Sequence, residues 1–145
     1  MLQQEIDKYS SQLLKLNRGY NKGLGRAPHK PILLLSVIRL IQEGTITSNK
    51  IFITTELLLA FKDNWKKLVD TNHSSNFALP FFHLRSEPFW YLVTKIGLSL
   101  KLTNSKSIKS FKNLNENIAF AEIDKNLFEI LTNQLHSSFF VDLLL

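Results

Sequence analysis

Residues 31 to 44, PILLLSVIRLIQEG, carry an apolar side chain at nearly every position before Gln42. A helix that is apolar along one stripe can lie on a surface, but one that is apolar nearly all round has to be covered from every side. The rest of the chain must therefore pack around this segment. Pro31 suits the first turn of such a helix, where its missing N–H costs nothing, and Gly44 suits its end. A chain of 145 residues can supply the cover, since one of that length buries about two thirds of its unfolded surface. The expectation is a single domain over residues 1 to 145.

The flanking segments fit that plan. Residues 2 to 17 space Leu2, Ile6, Tyr9, Leu13 and Leu16 by steps of four and three, the period of an amphipathic helix. RGYNKGLGRA, residues 18 to 27, holds three of the five glycines and reads as a basic loop. Residues 46 to 54 read as a short strand or extended connector, and Thr54 or Thr55 then opens a helix through TELLLAFKDNWKKLV. DTNHSSN is a polar loop. ALPFFHLRSEPFWYLV predicts two short strands, Phe81 to Leu84 and Phe89 to Val93, turned at Arg85-Ser86-Glu87-Pro88. The stretch from 97 to 117 is polar and gives no clear period, and AEIDKNLFEILTNQLHSSFFVDLLL predicts two helices, the first capped by Asp124 and the second starting near His136. The class is mainly α with a small β-hairpin, an α+β fold, and the element order is that of a winged helix.

Charge narrows the function. The net charge is +6 and is unevenly spread. Lys15, Arg18, Lys22, Arg26 and Lys30 form one run without an acid, and Lys95, Lys101, Lys106, Lys109 and Lys112 form a second, whereas residues 113 to 145 carry Glu116, Glu122, Asp124, Glu129 and Asp142 against a single Lys125. Two basic segments lining one groove make the electrostatic footprint of a nucleic-acid binder. The absence of cysteine removes disulfide scaffolds and cysteine-based zinc sites and points to a reducing, intracellular setting. No apolar run approaches the roughly 20 residues that span a bilayer, and MLQQEIDKYSSQ is too polar for a signal peptide, so no membrane partner is expected.

Catalytic constellations are missing from the sequence. His29, His73, His83 and His136 make no paired metal-ligand spacing, and Gly23-Leu24-Gly25 continues into no phosphate-cradling motif. Glu122-Ile123-Asp124-Lys125 has the residue types of a metal nuclease, but acids at a helix start are explained by the helix dipole. The expectation is a non-catalytic chain without catalytic residues, metal or cofactor.

Two stretches stand out as binding candidates. In Pro28-His29-Lys30-Pro31 each proline biases the residue before it away from helix, so His29 and Lys30 are expected extended at a helix entrance. There an imidazole and an ammonium beside helix N-terminal amides suit phosphates and base edges, while capping or packing accounts for His29 equally well. In Asn76-Phe77-Ala78-Leu79-Pro80-Phe81-Phe82-His83-Leu84-Arg85 the apolar residues cannot all face one side of a strand. Either part of that set is exposed, or the hairpin is buried with His83 and Arg85 at its edge.

Taken together, Ala27-Pro28-His29-Lys30-Pro31-Ile32-Leu33-Leu34-Leu35 and Ala78-Leu79-Pro80-Phe81-Phe82-His83-Leu84-Arg85-Ser86 with Phe89-Trp90-Tyr91-Leu92 resemble the sulfur-binding domain of McrA-type HNH restriction endonucleases. The resemblance covers about residues 15 to 145. It implies binding to double-stranded DNA that carries phosphorothioate linkages, in which sulfur replaces a non-bridging phosphate oxygen, as the targeting module of a modification-dependent restriction system. It implies a non-polar sulfur pocket of Leu79, Pro80 and His83. His29, Lys30 and Arg26 would contact bases and phosphates, with Tyr20, Ser74, Ser75 and Asn76 as further contacts and Lys106 and Lys109 on the far phosphates. The family's nuclease lies in a downstream HNH domain, so the apolar end Val141-Asp142-Leu143-Leu144-Leu145 reads as a cut inside a longer chain, in a bacterial or archaeal cytoplasm and open to homodimerisation through the full-length protein. Two other readings stay open: a winged-helix regulator of unmodified DNA, and a small metal-dependent nuclease using Glu122, Asp124 and Lys125.

Overall fold

The computed structural model describes residues 2–95 and 110–145. Among them the chain runs as helix α1 (Leu2–Leu14), strands β1 (Tyr20–Asn21) and β2 (Gly25–Arg26), and helix α2 (His29–Gln42). It continues through strand β3 (Lys50–Phe52), helices α3 (Thr55–Leu68) and α4 (Ala78–His83), a 3-10 turn (Leu84–Ser86) and strand β4 (Trp90–Thr94). Helix α5 (Phe111–Asn117), strand β5 (Ile118–Ile123) and helices α6 (Lys125–Thr132) and α7 (Gln134–Leu144) complete it.

Helix α2 is the axle. Ile32, Leu33, Leu34, Leu35, Val37, Ile38, Leu40 and Ile41 are all buried, on every side of the helix. They are covered by α3, α4, α6 and α7. Gly44 ends the segment at φ 80°, a left-handed conformation only glycine adopts cheaply, which lets Thr45 N–H reach back to the Leu40 carbonyl at 2.9 Å. Thr54 caps α3 by accepting from Leu57 N–H at 3.1 Å.

The three longer strands form one antiparallel sheet in the order β3-β5-β4. Ile51, Ala121, Ile123 and Trp90 face the core, while Lys50, Phe52, Phe120, Glu122 and Tyr91 alternate outward. The succession α2-β3-α3-α4-β4-α5-β5 with that strand order is winged-helix topology with α5 added between the last two strands, so the α+β class and winged-helix likeness expected from the sequence hold. In this topology α4 occupies the position of a recognition helix.

Several local expectations change. Phe81 to Leu84 is not a strand: residues 78–83 form α4, and the partner of β4 is β5, a strand the sequence did not announce. The reason lies in the first turn of α4. Asn76 Oδ1 accepts from Leu79 N–H at 3.0 Å, and Pro80 sits where the amide would be unpaired anyway. In a strand the same proline would break the ladder. His29 and Lys30 are likewise helical rather than extended, because both prolines fall among the first-turn positions that need no N–H, with Pro28 as N-cap. Residues 20–26, read as loop, close into the β1–β2 hairpin, where Gly25 takes φ 88°. No helix among the described residues is long and apolar enough to cross a membrane.

Candidate nucleic-acid interface

The two stretches singled out by sequence meet. A cleft of about 430 Å³ is lined by Asn17, Arg18 and Gly19 after α1, Ala27, His29 and Lys30 at the head of α2, Leu79, Pro80 and His83 on α4, and Ser86. The helical form of residues 78–83 makes one wall of it. Leu79 and His83 are four residues apart and share a face with Pro80 beside them, whereas a strand would turn Pro80 to the opposite side. Beneath this wall Phe81 is fully buried, and its carbonyl accepts from Trp90 Nε1 at 3.0 Å, which ties α4 to β4.

Lys30 does not face the cleft as an open cation. Its side chain is 8% exposed and its Nζ donates to Glu87 Oε2 at 2.6 Å and to Ser86 Oγ at 3.2 Å. Glu87 Oε2 also accepts from Asn17 N–H at 2.9 Å. One carboxylate thus pins the end of α1, the head of α2 and the 3-10 turn, three of the cleft's borders.

His29 is held by the 69–77 loop. Its Nε2 lies 2.9 Å from the Ser74 carbonyl and its ring packs on Trp65, with centroids 4.8 Å apart. A carbonyl only accepts, so Nε2 carries the hydrogen, and in the neutral ring Nδ1 is an acceptor. Burial lowers the pKa of His29, His73 lowers it further, and the Ser74 bond partly opposes them. A depressed histidine pKa means that the unfolded chain takes up the proton first, so stability is full above the unfolded value near 6.5 and is lost as pH falls toward the folded value. Denaturation midpoints should accordingly drop between pH 7 and pH 5.5, with a slope of at most about 1.4 kcal/mol per pH unit from this group. The drop should shrink in His29→Gln. An equal drop in that variant would assign the acid sensitivity elsewhere.

The opposite wall is cationic. Ala27 N–H donates to the Gly19 carbonyl at 2.6 Å and Arg18 Nε donates to the Ala27 carbonyl at 2.8 Å, closing the base of the hairpin onto the cleft. Tyr20 and Arg26 face each other across the β1–β2 ladder and both are exposed, Tyr20 by 71%. Arg18 also lines a second cleft of about 440 Å³ with Arg26. Burial, and to a lesser extent the nearby Arg26, pull the Arg18 pKa down. Among the described residues no carboxylate pairs with Arg18 or Arg26.

The remaining sequence candidates divide. Ser74 supplies the carbonyl that holds His29, Asn76 caps α4, and Ser75 is exposed between them. Lys106 and Lys109 lie outside the described residues. Sequence reasoning missed Arg18, Asn17 and Ser86 as cleft residues, although Arg18 belonged to the acid-free basic run. The nuclease trio is not assembled: Asp124 Oδ2 accepts from Tyr9 OH at 2.9 Å, and Glu122 stands in the ladder between Lys50 and Tyr91. No group of three potential ligands among the described residues is placed to hold a metal ion.

No protein-family model matches the sequence, and no curated protein matches it. Solved structures do. One, of the sulfur-binding domain and SRA domain of ScoMcrA complexed with phosphorothioated DNA, superposes with a TM-score of 0.68 at 19% identity over 93% of this chain. A second, of the sulfur-binding domain of ScoMcrA complexed with phosphorothioated DNA, gives 0.66 at 18% identity over 93%. The chain shares the fold of these sulfur-binding domains. It spans 41% of the first neighbour's chain and 84% of the second's, so the likeness is to the sulfur-binding part of the larger protein.

Proposed function

We propose that this chain binds double-stranded DNA carrying phosphorothioate linkages, without catalysis of its own, as the targeting module of a modification-dependent restriction system. The observation that carries the reading is the divided cleft, an α4 wall of Leu79, Pro80 and His83 facing a cationic wall that begins at Arg18. A phosphate set between them would turn one non-bridging atom toward the proline ring. Oxygen there would give up strong hydration and find no donor in return, whereas sulfur, larger and less hydrated, loses little.

In this reading Arg18, Arg26 and Tyr20 on the hairpin side hold the backbone, with Ser75 on the facing loop. His29, neutral with Nδ1 as acceptor, suits an amino group on a base edge, N6 of adenine or N4 of cytosine, better than a phosphate. Residues 1 to 145 form the DNA-reading domain, and the cleavage that completes restriction belongs to a downstream HNH domain of a longer protein. The solved neighbours were captured with phosphorothioated DNA, which supports the choice of ligand.

The test is direct binding. Fluorescence anisotropy with a duplex bearing one phosphorothioate per strand should give affinity at least tenfold above that for the unmodified duplex, at each of several salt concentrations. Equal affinities throughout would leave the winged-helix reading, with α4 as a recognition helix for ordinary DNA.

A further inference from the structure

We propose that Glu87 sets the selectivity of this cleft by cancelling the charge of Lys30 beside the Pro80 wall. The inference rests on the phosphorothioate reading above, and it assigns a role to an acid that touches no DNA in that reading.

Lys30 borders the cleft next to Ser86, close enough that a free ammonium could meet a phosphate in it. The ammonium is instead turned into a buried pair, with both side chains under a tenth exposed and 2.6 Å between them. Glu87 is held from one further side, by Asn17 N–H on the same carboxylate oxygen, and Lys30 is held by Ser86 Oγ, which accepts from the ammonium and donates to the His83 carbonyl. The carboxylate therefore cannot turn away without breaking the junction of α1, α2 and the 3-10 turn.

Selectivity follows from the kind of cation that is hidden. An ammonium is a compact, strongly hydrated charge, and it pairs best with a compact, strongly hydrated anion. Phosphate oxygen is such a partner, and the softer sulfur less so. An open Lys30 beside Pro80 would reward ordinary DNA more than modified DNA and would wet the apolar wall. With the pair closed, the net charge at that wall is zero and the attraction for the backbone is left to Arg18 and Arg26 on the other side. This is discrimination by withholding an interaction from the wrong ligand.

The experiment uses the full chain and four proteins: wild type, Glu87→Gln, the double variant Lys30→Met/Glu87→Gln, and Arg26→Ala as a reference for loss of one phosphate contact. Each is titrated with the modified and unmodified duplex from about 50 to 200 mM salt, a range over which phosphate contacts report as a slope. Glu87→Gln keeps the shape and the acceptor but frees the charge. It should raise affinity for unmodified DNA about tenfold, move that for modified DNA less than threefold, and steepen the slope on unmodified DNA by about 0.9. The double variant, neutral at both positions, should keep the wild-type slope even if the single variant folds poorly, while Arg26→Ala should flatten it by a similar amount. A Glu87→Gln protein that binds both duplexes more weakly at unchanged slope would make Glu87 a positioning residue only and overturn the proposal. So would a double variant with a flattened slope, since Lys30 would then have been gripping phosphate all along. Wild-type protein that does not distinguish the duplexes sinks the phosphorothioate reading instead, and the slopes on unmodified DNA still decide whether Glu87 masks Lys30.

Discussion

Replacing Pro80 with aspartate should abolish the preference for modified DNA, lowering affinity for the phosphorothioate duplex about a hundredfold, or ~2.7 kcal/mol, while affinity for the unmodified duplex falls far less. The size comes from setting a carboxylate against a phosphate, a juxtaposition of like charges that costs several kcal/mol at a close interface. Unmodified DNA, which never settles its oxygen on the proline ring, escapes most of that penalty. Pro80 is buried in the first turn of α4, so the melting temperature of the variant is measured beside its binding, although an acid there favours the helix dipole and the restored amide displaces no bond. Pro80→Ala separates shape from charge. It keeps the wall apolar but thins it, and should reduce the preference severalfold without erasing it. If Pro80→Asp retained a tenfold preference on the same duplex pair, the sulfur would have to be sensed elsewhere.

The two stretches that form this cleft could be picked out from the chain before any geometry was known, because their residue types are odd in context: prolines beside a histidine at a helix head, and a proline inside an aromatic run. What sequence could not show was the form of the second stretch. Phe81 and Phe82 carry strand propensity, and α4 is too short for its period to outvote them. Two local signals pointed the other way, Pro80, which a central strand excludes, and Asn76 three residues before Leu79. Helix α2 was legible because it is buried on nearly every side, Arg39 apart, and its length allows the pattern to repeat. Strand β5 was not, since IAFAEI mixes alanine with outward Phe120 and Glu122, and only the pairing with β3 and β4 shows that Ala121 and Ile123 face inward.

The same limit governs the electrostatics. Counting cations along the chain treats Lys30 as one of five in an acid-free run, yet its acid is Glu87, 57 residues away in a turn. Arg18, in the same run, finds only the Ala27 carbonyl and keeps its charge open toward the cleft. Linear charge therefore shows where cations cluster along the chain but not which of them are paired in the fold. The local backbone decides this, since the helical head of α2 swings Lys30 inward, whereas the extended form expected from the flanking prolines would have left it outside.

Lys30→Ala supplies the sharpest contrast between the two descriptions. If Lys30 were a surface cation reaching for phosphate, its loss would leave stability almost untouched, weaken binding to both duplexes and flatten the salt slope by about one contact. As half of a buried pair its removal leaves Glu87 charged, desolvated and answered only by the Asn17 amide. Breaking a buried pair from one side costs about 3–5 kcal/mol, a large part of the whole stability of a domain this size. Chemical denaturation should show that loss as a lowered midpoint at unchanged m value, and the melting temperature should fall by roughly 10 °C. Lys67→Ala is the control. Its partner Asp63 lies at 3.0 Å on the exposed face of α3, and its removal should cost under about 0.5 kcal/mol. Adding Glu87→Gln to a Lys30→Met background should return most of the lost stability, because it is the orphaned charge and not the missing ammonium that weakens the fold. A Lys30→Ala protein as stable as Lys67→Ala would show that the carboxylate reaches water, and the junction it is said to hold would need another fastening.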